Sequence, residues 1–476
     1  MIDIVNSPPS FNLWHEPWID LEHLDGQQEM LGIEQTLLRA HELAAIDDLS
    51  PLASVGIHRL LAAVLQDALN PEAVADIAAI WRAGAFPGSK ITEFGRRYAS
   101  RFDLFSTERP FMQTADLPFD TGGTARSELK TIAYLTPEIP ATSSVTHYRH
   151  AYDEEHRYCP ACVAKGLVMI PAFATSGGAG IKPSINGVPP IYVVPGGETL
   201  FHALTLSLVS SAFRPDIASP RDLPWWGREP IVTRSHEVQE VGYLQSLTFP
   251  ARRVRVHPQD MAGACTRCGR LSEIGVRTMV FEMGESRPKG AAVWFDPFVA
   301  YRLPKDGKKG GQPTPIRPQE GRIQWRDYAA LFLHRGQTRA RRPAILDQLD
   351  ELTEAYYIAD PDLPFPFRCV GIRSDGRMKM FEWEESGYGV PVGPNAASIL
   401  RRYEFYAYAG EYDSETHEAL VSSDSNPLDS EIGTYLGAQN GAVNLNVAAV
   451  PEPETYALML AGLGLLSLAA RRRRNV

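Results

Sequence analysis

The first hundred residues alternate polar turns with apolar faces at helical spacing. Leu37, Leu38, Leu43 and Ala44 predict a helix over 33–46, closed by Asp47-Asp48. Leu60, Leu61, Val64, Leu65 and Ala68 share one face of a helix over 57–69, and two more helices are predicted over 73–83 and 91–102. Ahead of them, the aromatic-rich run from Phe11 to Ile19 reads as a strand or extended segment, with Asp25-Gly26 as a turn. Residues 114–157 are loop-rich. An apolar segment then runs from Leu167 to Phe173, a short strand from Ile191 to Val194 and a helix over 200–209, with Trp225-Trp226 in a proline-flanked loop. Strands are predicted over 278–281 and 291–301. A hairpin follows over 370–383, with Asp375-Gly376 at the turn, because Asp-Gly supplies the positive φ angles that tight hairpins need. One helix over 396–408 precedes sequence with little periodicity. The pattern describes an α+β protein with a mixed α/β globular body.

A chain of 476 residues with 44% apolar content can bury a sizeable core over two to four domains. The net charge of −10, from 47 basic and 57 acidic residues, does not announce a nucleic-acid binder, although local patches still can. Met1 to Pro17 lacks a basic stretch followed by an apolar core, so no export signal is visible. The other terminus points the opposite way. Pro451-Glu452-Pro453 leads into the apolar or small run Tyr456 to Ala470 and then Arg471 to Arg474. That order resembles a PEP-CTERM sorting tail, although the run is shorter than the roughly 20 residues that span a bilayer.

Four of the five cysteines form two C-x-x-C pairs, Cys159/Cys162 and Cys265/Cys268. Thiolates three positions apart can reach one ion, and two such turns complete a closed tetrahedral shell, so structural zinc is expected. A redox pair of the thioredoxin kind is the competing reading, but it would not come twice and no clear βαβ pattern surrounds either copy. The 102 residues between Cys162 and Cys265 make the metal a staple between remote parts of one domain. A closed shell leaves no position for activating water, which argues against a zinc enzyme. His147, Tyr148, Arg149 and His150 combine rings and charge able to stack on bases and bind phosphates, and they read equally as surface near the metal. The run Ser176 to Lys182 contains Gly177, Gly178 and Gly180, which let backbone approach a ligand closely; a plain flexible loop is the alternative. It lacks the features of a Walker loop or dinucleotide fingerprint. Two basic runs, one with Lys305, Lys308, Lys309 and Arg317 and one with Arg335, Arg339, Arg341 and Arg342, make a phosphate-binding patch plausible, though such runs are usually only solvated faces. No catalytic constellation stands out.

Taken in order, these residues resemble the CasA family, the large subunit of the type I-E Cascade CRISPR surveillance complex. The resemblance runs from about residue 11 to about residue 390. It rests on the opening Asn12-Leu13-Trp14-His15-Glu16-Pro17-Trp18-Ile19, on Phe102-Asp103-Leu104-Phe105 with Arg109-Pro110-Phe111-Met112-Gln113, on both cysteine pairs, on the glycine loop and on the hairpin ending in Trp383. It implies a non-catalytic, cytoplasmic subunit that reads the protospacer-adjacent motif in double-stranded DNA and helps to open the duplex, while guide RNA reads the sequence. Gly177, Gly178 and Gly180 match the family's minor-groove loop, Asp375, Gly376 and Arg377 its wedge, and Arg287 and Lys289 fall near its lysine finger. The stretch His147 to His150 looks like the loop facing guide RNA and neighbouring subunits. The implied partners are the other Cascade subunits, guide RNA, target duplex and a nuclease-helicase recruited on target binding, with a membrane only if the tail is used. Two departures stand out: the wedge often carries a glutamine where this chain has Gly376 or Arg377, and the family's C-terminal helical bundle reads as truncated. The resulting division is a body over 1–389, a helical remnant and polar linker over 390–449, and the sorting-like tail over 450–476. The rival reading is an envelope-anchored protein with a structural zinc domain.

Overall fold

The computed structural model describes residues 9–118, 129–139, 155–176, 181–215, 222–231, 235–261, 263–304, 311–319, 328–332, 340–359, 365–374, 380–390, 392, 411–412 and 419–420. The chain divides into two compact units, residues 1–397 and 398–476. In the first unit, strand β1 (Ile19–His23) pairs antiparallel with β2 (Gln28–Leu31) through a turn at Asp25-Gly26, where Gly26 takes a φ of +83°. Helix α1 (Ile33–Leu38) follows. The helix expected over 33–46 stops at Leu38, because Leu43–Ile46 forms β3 on the other edge of β1, with Leu21 opposite Ile46. Pairing overrides the helical spacing there. The opening run also differs from the expected strand. Asn12 accepts from the Trp14 amide at 3.0 Å through its side chain and from His15 at 3.0 Å through its carbonyl, turning the chain until Ile19.

Helix α2 (Pro51–Leu69) is the central rod. Ser50 caps it by accepting from the Ala53 amide, proline takes the first helical position, and Asn70 ends it in a left-handed conformation at φ 41°. By length and composition it could cross a membrane, yet it is almost wholly buried inside the protein. Its buried polar side chains find partners there. Arg59 forms a forked pair with Asp296, at 2.9 and 3.4 Å, and His58 meets Ser207 Oγ at 2.7 Å. Helices α3 (Val74–Ala83) and α4 (Gly88–Tyr98) follow as expected, and the last turn to Phe102 tightens into a 3₁₀ helix.

Strand β4 (Lys130–Thr131) precedes helix α5 (Pro160–Phe173), which absorbs both the first cysteine pair and the apolar segment after it. Strand β5 (Tyr192–Pro195) and helix α6 (Leu200–Thr205) come next. The helix ends short of the expected Val209 because Gln66 bonds both the amide and the carbonyl of Val209. Trp226 is buried within a short 3₁₀ turn and donates to Asp67 at 2.7 Å. Then follow β6 (His236–Glu237), α7 (Tyr243–Leu247), β7 (Arg252–Asp260), β8 (Ile274–Met283), β9 (Glu285–Ser286), β10 (Tyr301–Arg302), β11 (Thr314–Pro315), α8 (Tyr328–Phe332), β12 (Ala340–Arg341), α9 (Ala344–Tyr356), β13 (Phe365–Ser374) and β14 (Met380–Val390). Sheet orders are β4-β8-β7, β11-β10-β12 and β14-β13-β5, with β6 and β9 as a parallel pair.

The expected strand over 291–301 is irregular until Tyr301. Asp296 explains this: it accepts from the Phe298 amide at 3.0 Å, and its own amide donates to the Tyr301 hydroxyl at 2.8 Å. With these groups bonded to side chains, the run makes only an isolated bridge, Val299 opposite Tyr192, before Tyr301. The expected hairpin is present and longer, with β13 and β14 paired from Phe365 opposite Val390 to Ser374 opposite Met380. Its tip, Asp375 to Lys379, lies outside the described residues. In the second unit, β15 (Glu411–Tyr412) and β16 (Ala419–Leu420) pair antiparallel. The expected helix over 396–408 and the tail over 450–476 lie outside the described residues.

Candidate functional site

Cys159 is the N-cap of α5 and Cys162 sits in its first turn, with Pro160 between them at the first helical position. The second pair occupies a tight turn after β7. There the Cys265 amide donates to Arg270 O, the Gly269 amide donates to Cys265 O, both at 2.8 Å, and Gly269 adopts φ +75°. A side chain at Gly269 would be strained, which is why a glycine closes the turn. The two turns are sewn to each other. The Thr266 amide donates to Arg157 O at 2.9 Å, Arg157 Nε donates to Ala264 O at 3.0 Å, and the Cys159 amide donates to Cys265 Sγ at 3.3 Å. Tyr158 exchanges both backbone hydrogen bonds with Val276, fixing the start of α5 to β8.

The four sulfurs lie within 4.8 Å of one another, and Cys159 Sγ is 3.7 Å from Cys268 Sγ. A zinc–sulfur bond of about 2.3 Å sets the edges of a tetrahedron at roughly 3.8 Å, so the donor set fits a tetrahedral cation. Crowding separates the thiols. Hydrogen bonds from Cys159 and Cys162 push Cys265 far below the usual thiol range and bring Cys268 down to about 6, while the bond to Cys159 and burial push Cys162 far up. A bound cation would replace this uneven sharing of protons with four thiolates. Burial works against the Arg267 cation, but its surroundings, Cys162 once ionised and then the Glu138 and Asp48 carboxylates, outweigh it and raise its pKa, and Arg267 Nη1 donates to Cys162 O at 3.4 Å. The fifth cysteine, Cys369, lies fully buried in β13 and takes no part in the cluster.

One turn along α5 from Cys162 stands Lys165, buried, with its ammonium on Asp20 and 2.6 Å from Asp48. Asp20 also takes Arg270 from the second cysteine turn. Burial raises the Asp20 carboxyl, yet the Arg270 hydrogen bond and the Lys165 charge prevail and lower its pKa. Both cysteine turns are thus tied to the N-terminal sheet through one carboxylate. Sequence reasoning missed this network because its members lie 145 and 250 positions apart. The one local signal was a lone lysine inside an apolar helix, which is rarely buried without partners.

Helix α5 spans 14 residues, about 21 Å at 1.5 Å per residue, and the glycine run follows its other end. The cysteines therefore do not fix the base of that run directly. Gly177, Gly178 and Gly180 lie outside the described residues, as do His147, Tyr148, Arg149 and His150 and the hairpin-tip residues Asp375, Gly376 and Arg377. Arg287 is half-buried and spends its guanidinium on Ala292 O at 2.5 Å and Gln239 O at 3.4 Å, whereas Lys289 is exposed beside Gly290 at φ +86°. Of the basic runs, Lys305, Lys308, Lys309, Arg335 and Arg339 lie outside the described residues. Arg317 donates to Val188 O at 2.9 Å. Arg341 stacks at 4.3 Å on Phe295, and Arg342 is buried against Asp347 and Asp350 of α9. Arg342 therefore serves as a core ion pair and is unavailable to a solvated phosphate patch.

The family model described as CRISPR-associated protein Cse1 matches residues 12–422, and the PEP-CTERM protein-sorting motif matches residues 449–474. A CRISPR-associated protein CasA/Cse1 from Thermus thermophilus is 32% identical over 413 residues, covering 84% of this chain and 75% of that protein. The crystal structure of CasA from the same organism superposes with a TM-score of 0.64 at 27% identity, covering 84% of this chain and 76% of the other. A chain from a CRISPR RNA-guided surveillance complex shares the fold at a TM-score of 0.69 and 22% identity, covering 85% and 81% of the two chains.

Proposed function

The chain belongs to the Cse1 family of CRISPR-associated proteins, and from that premise we propose that it is a non-catalytic, cytoplasmic subunit of an RNA-guided surveillance complex. It recognises the protospacer-adjacent motif in double-stranded DNA and helps to open the duplex. The observation that carries this reading is the family match over residues 12–422, a span that includes both cysteine turns, the glycine run and the β13–β14 hairpin. In this reading Gly177, Gly178 and Gly180 bring bare backbone to the minor groove, and the exposed Lys289 with Arg287 supplies positive charge nearby. Asp375, Gly376 and Arg377 enter between base pairs at the hairpin tip. His147, Tyr148, Arg149 and His150 face guide RNA and the neighbouring subunits, and target binding recruits a nuclease-helicase. Cys159, Cys162, Cys265 and Cys268 hold zinc, which supplies cross-linking of two chain segments and no reactive position.

The test is binding by the complex reconstituted with its partner subunits and guide RNA. Wild type is expected to prefer a duplex carrying the flanking motif over one with the motif scrambled, and Gly177→Leu to lose at least 100-fold of that affinity, about 2.7 kcal/mol. An isolated chain that is folded but never joins guide RNA and partners would overturn the reading, as would unchanged binding by Gly177→Leu.

A second reading is favoured by the match to the sorting motif over 449–474. It makes the protein an envelope-anchored one whose metal domain is purely structural. Cell fractionation separates the two: recovery in the envelope favours the second, recovery with guide RNA in the soluble fraction the first.

A further inference from the structure

Arg252, the first residue of β7, is buried to 4% exposure, and among the described residues it makes no ion pair. Its guanidinium donates through Nη1 to Lys182 O and Ala251 O, both at 2.7 Å, and through Nη2 to Thr175 O. Thr175 and Lys182 flank the glycine-containing residues 177–180 on either side. Met283 Sδ sits beneath the same group, 3.9 Å from Arg252 Nη1, and accepts from the Lys182 amide at 3.1 Å. Outside this contact the two flanks are closed by the Ser184 amide on Ala174 O at 2.9 Å and by Ser184 Oγ on Pro171 O at 2.6 Å.

A buried cation without a carboxylate is expensive, and an arginine cannot escape the cost by losing its proton. A neutral hydrogen-bond donor would satisfy one carbonyl at lower cost. Only a planar fork with several N–H groups reaches carbonyls on both sides of a loop at once. We propose that Arg252 is a positioning residue: it locks the two flanks of the glycine loop, at Thr175 and Lys182, at a fixed separation, so that the ends of the loop are already set when it meets duplex DNA. The inference rests on the reading of that loop as a DNA-contacting element. Arg252 touches no nucleic acid itself. It acts on affinity by removing the ordering cost that a free loop would incur on binding.

The test uses the complete complex with guide RNA and Arg252→Lys, which keeps the charge but cannot fork. Binding is measured to three DNAs: a duplex with the flanking motif, the same duplex with the motif scrambled, and a single strand complementary to the guide. The expected result is a loss of 10- to 100-fold on the motif duplex and less than 3-fold on the single strand, with unchanged metal content. Equal losses on duplex and single strand would overturn the proposal by reducing Arg252 to a structural role, and no loss on either would overturn it too. A wild-type complex indifferent to the motif would sink the functional reading instead, which keeps the two failures apart. Should Arg252→Lys not fold, Met283→Leu removes only the sulfur shared by Arg252 and the Lys182 amide at nearly constant volume. It is expected to weaken motif-duplex binding several-fold and leave the single strand untouched; an unchanged motif duplex would count against the clamp.

Discussion

The two ends of α5 are held by different chemistry. At its N-terminal end, four sulfurs from two turns meet at one point, with Arg157 and Thr266 sewing the turns together. At its C-terminal end, one guanidinium and one serine gather backbone carbonyls. The first device needs particular side chains at fixed spacing, so it is written into the sequence. The second uses carbonyls, which every residue carries, and so leaves no trace there beyond a single arginine. The comparison teaches that this helix is anchored at one end by a cluster of four cysteines and at the other by a hydrogen-bond fork, with α2 packed along its middle.

The largest effect is expected at the cysteine end. Structural zinc contributes on the order of 10 kcal/mol to folding in small domains. Cys159→Ser and Cys265→Ser are therefore expected to abolish stoichiometric zinc and to lower the melting temperature by about 10 °C or more. Metal analysis and calorimetry check this together, and a variant that melts like wild type with its zinc intact would remove the staple from the comparison. Dialysis of the wild type against a chelator should reproduce the same shift.

Lys165→Met is the next largest. It leaves the buried Asp48 without its cation, while Asp20 keeps Arg270. Breaking one partner out of a buried pair costs about 3–5 kcal/mol. Urea unfolding of Lys165→Met, Asp48→Leu and the double variant would measure the coupling. The double variant is expected to recover most of the loss, because an apolar pair no longer buries an unmatched charge. A loss under about 1 kcal/mol in the single variant would mean that the pair is solvated, and that the sulfurs alone hold this end.

These two regions also show how far the sequence could be read. The cysteine site was legible down to the residue, since ligand chemistry restricts both type and spacing, and the hairpin was legible from Asp-Gly and its flanking strands. Helix α2 was legible from its apolar face, although its burial on nearly all sides was not. What failed was set by partners that local spacing does not reveal. Leu43–Ile46 has helical spacing but is claimed by the free edge of β1. The run 291–300 has a strand's composition, but Asp296 takes its amides and faces Arg59, 237 positions away. Arg342 read as part of a basic surface until α9 brought Asp347 and Asp350 to it.

Acid should weaken the molecule by a route separate from the four-cysteine cluster, and the comparison needs that route measured. His58 on α2 is pushed down to about 3 by burial, then by the charges of Arg368 and Arg59. A folded pKa below the ordinary 6.5 means that the unfolded chain binds the proton first. The stability from a neutral His58 is whole above pH 6.5 and drains as pH falls toward 3. Between pH 7 and pH 5 the loss is about 2 kcal/mol. Denaturant midpoints at the two pH values should show this slope in wild type and lose it in His58→Gln. If the slope persists in that variant, acid is acting elsewhere, and the cysteine end becomes the first suspect.

The smallest effect concerns the middle of α5. A Cβ built at Gly56 of α2 would lie 2.8 Å from the carbonyl oxygen of Val168 and 3.2 Å from the Met169 nitrogen. Both are backbone atoms and cannot rotate away. Gly56→Ala gains up to about 1 kcal/mol in helix propensity, but pushing two helices apart costs about 1–3 kcal/mol. The balance is expected to be a net loss of about 1 kcal/mol, with α5 shifted between its two anchors. Gly88→Ala is the control, because the new Cβ would meet only a Leu38 side-chain atom at 3.4 Å and the helix α4 should be unharmed. If the α5 rod transmits its position, Gly56→Ala should weaken motif-duplex binding by the assembled complex as well as stability, while zinc content stays constant. Equal duplex binding in Gly56→Ala and wild type would mean that the loop end is set by its own fork, independently of where the rest of the helix lies.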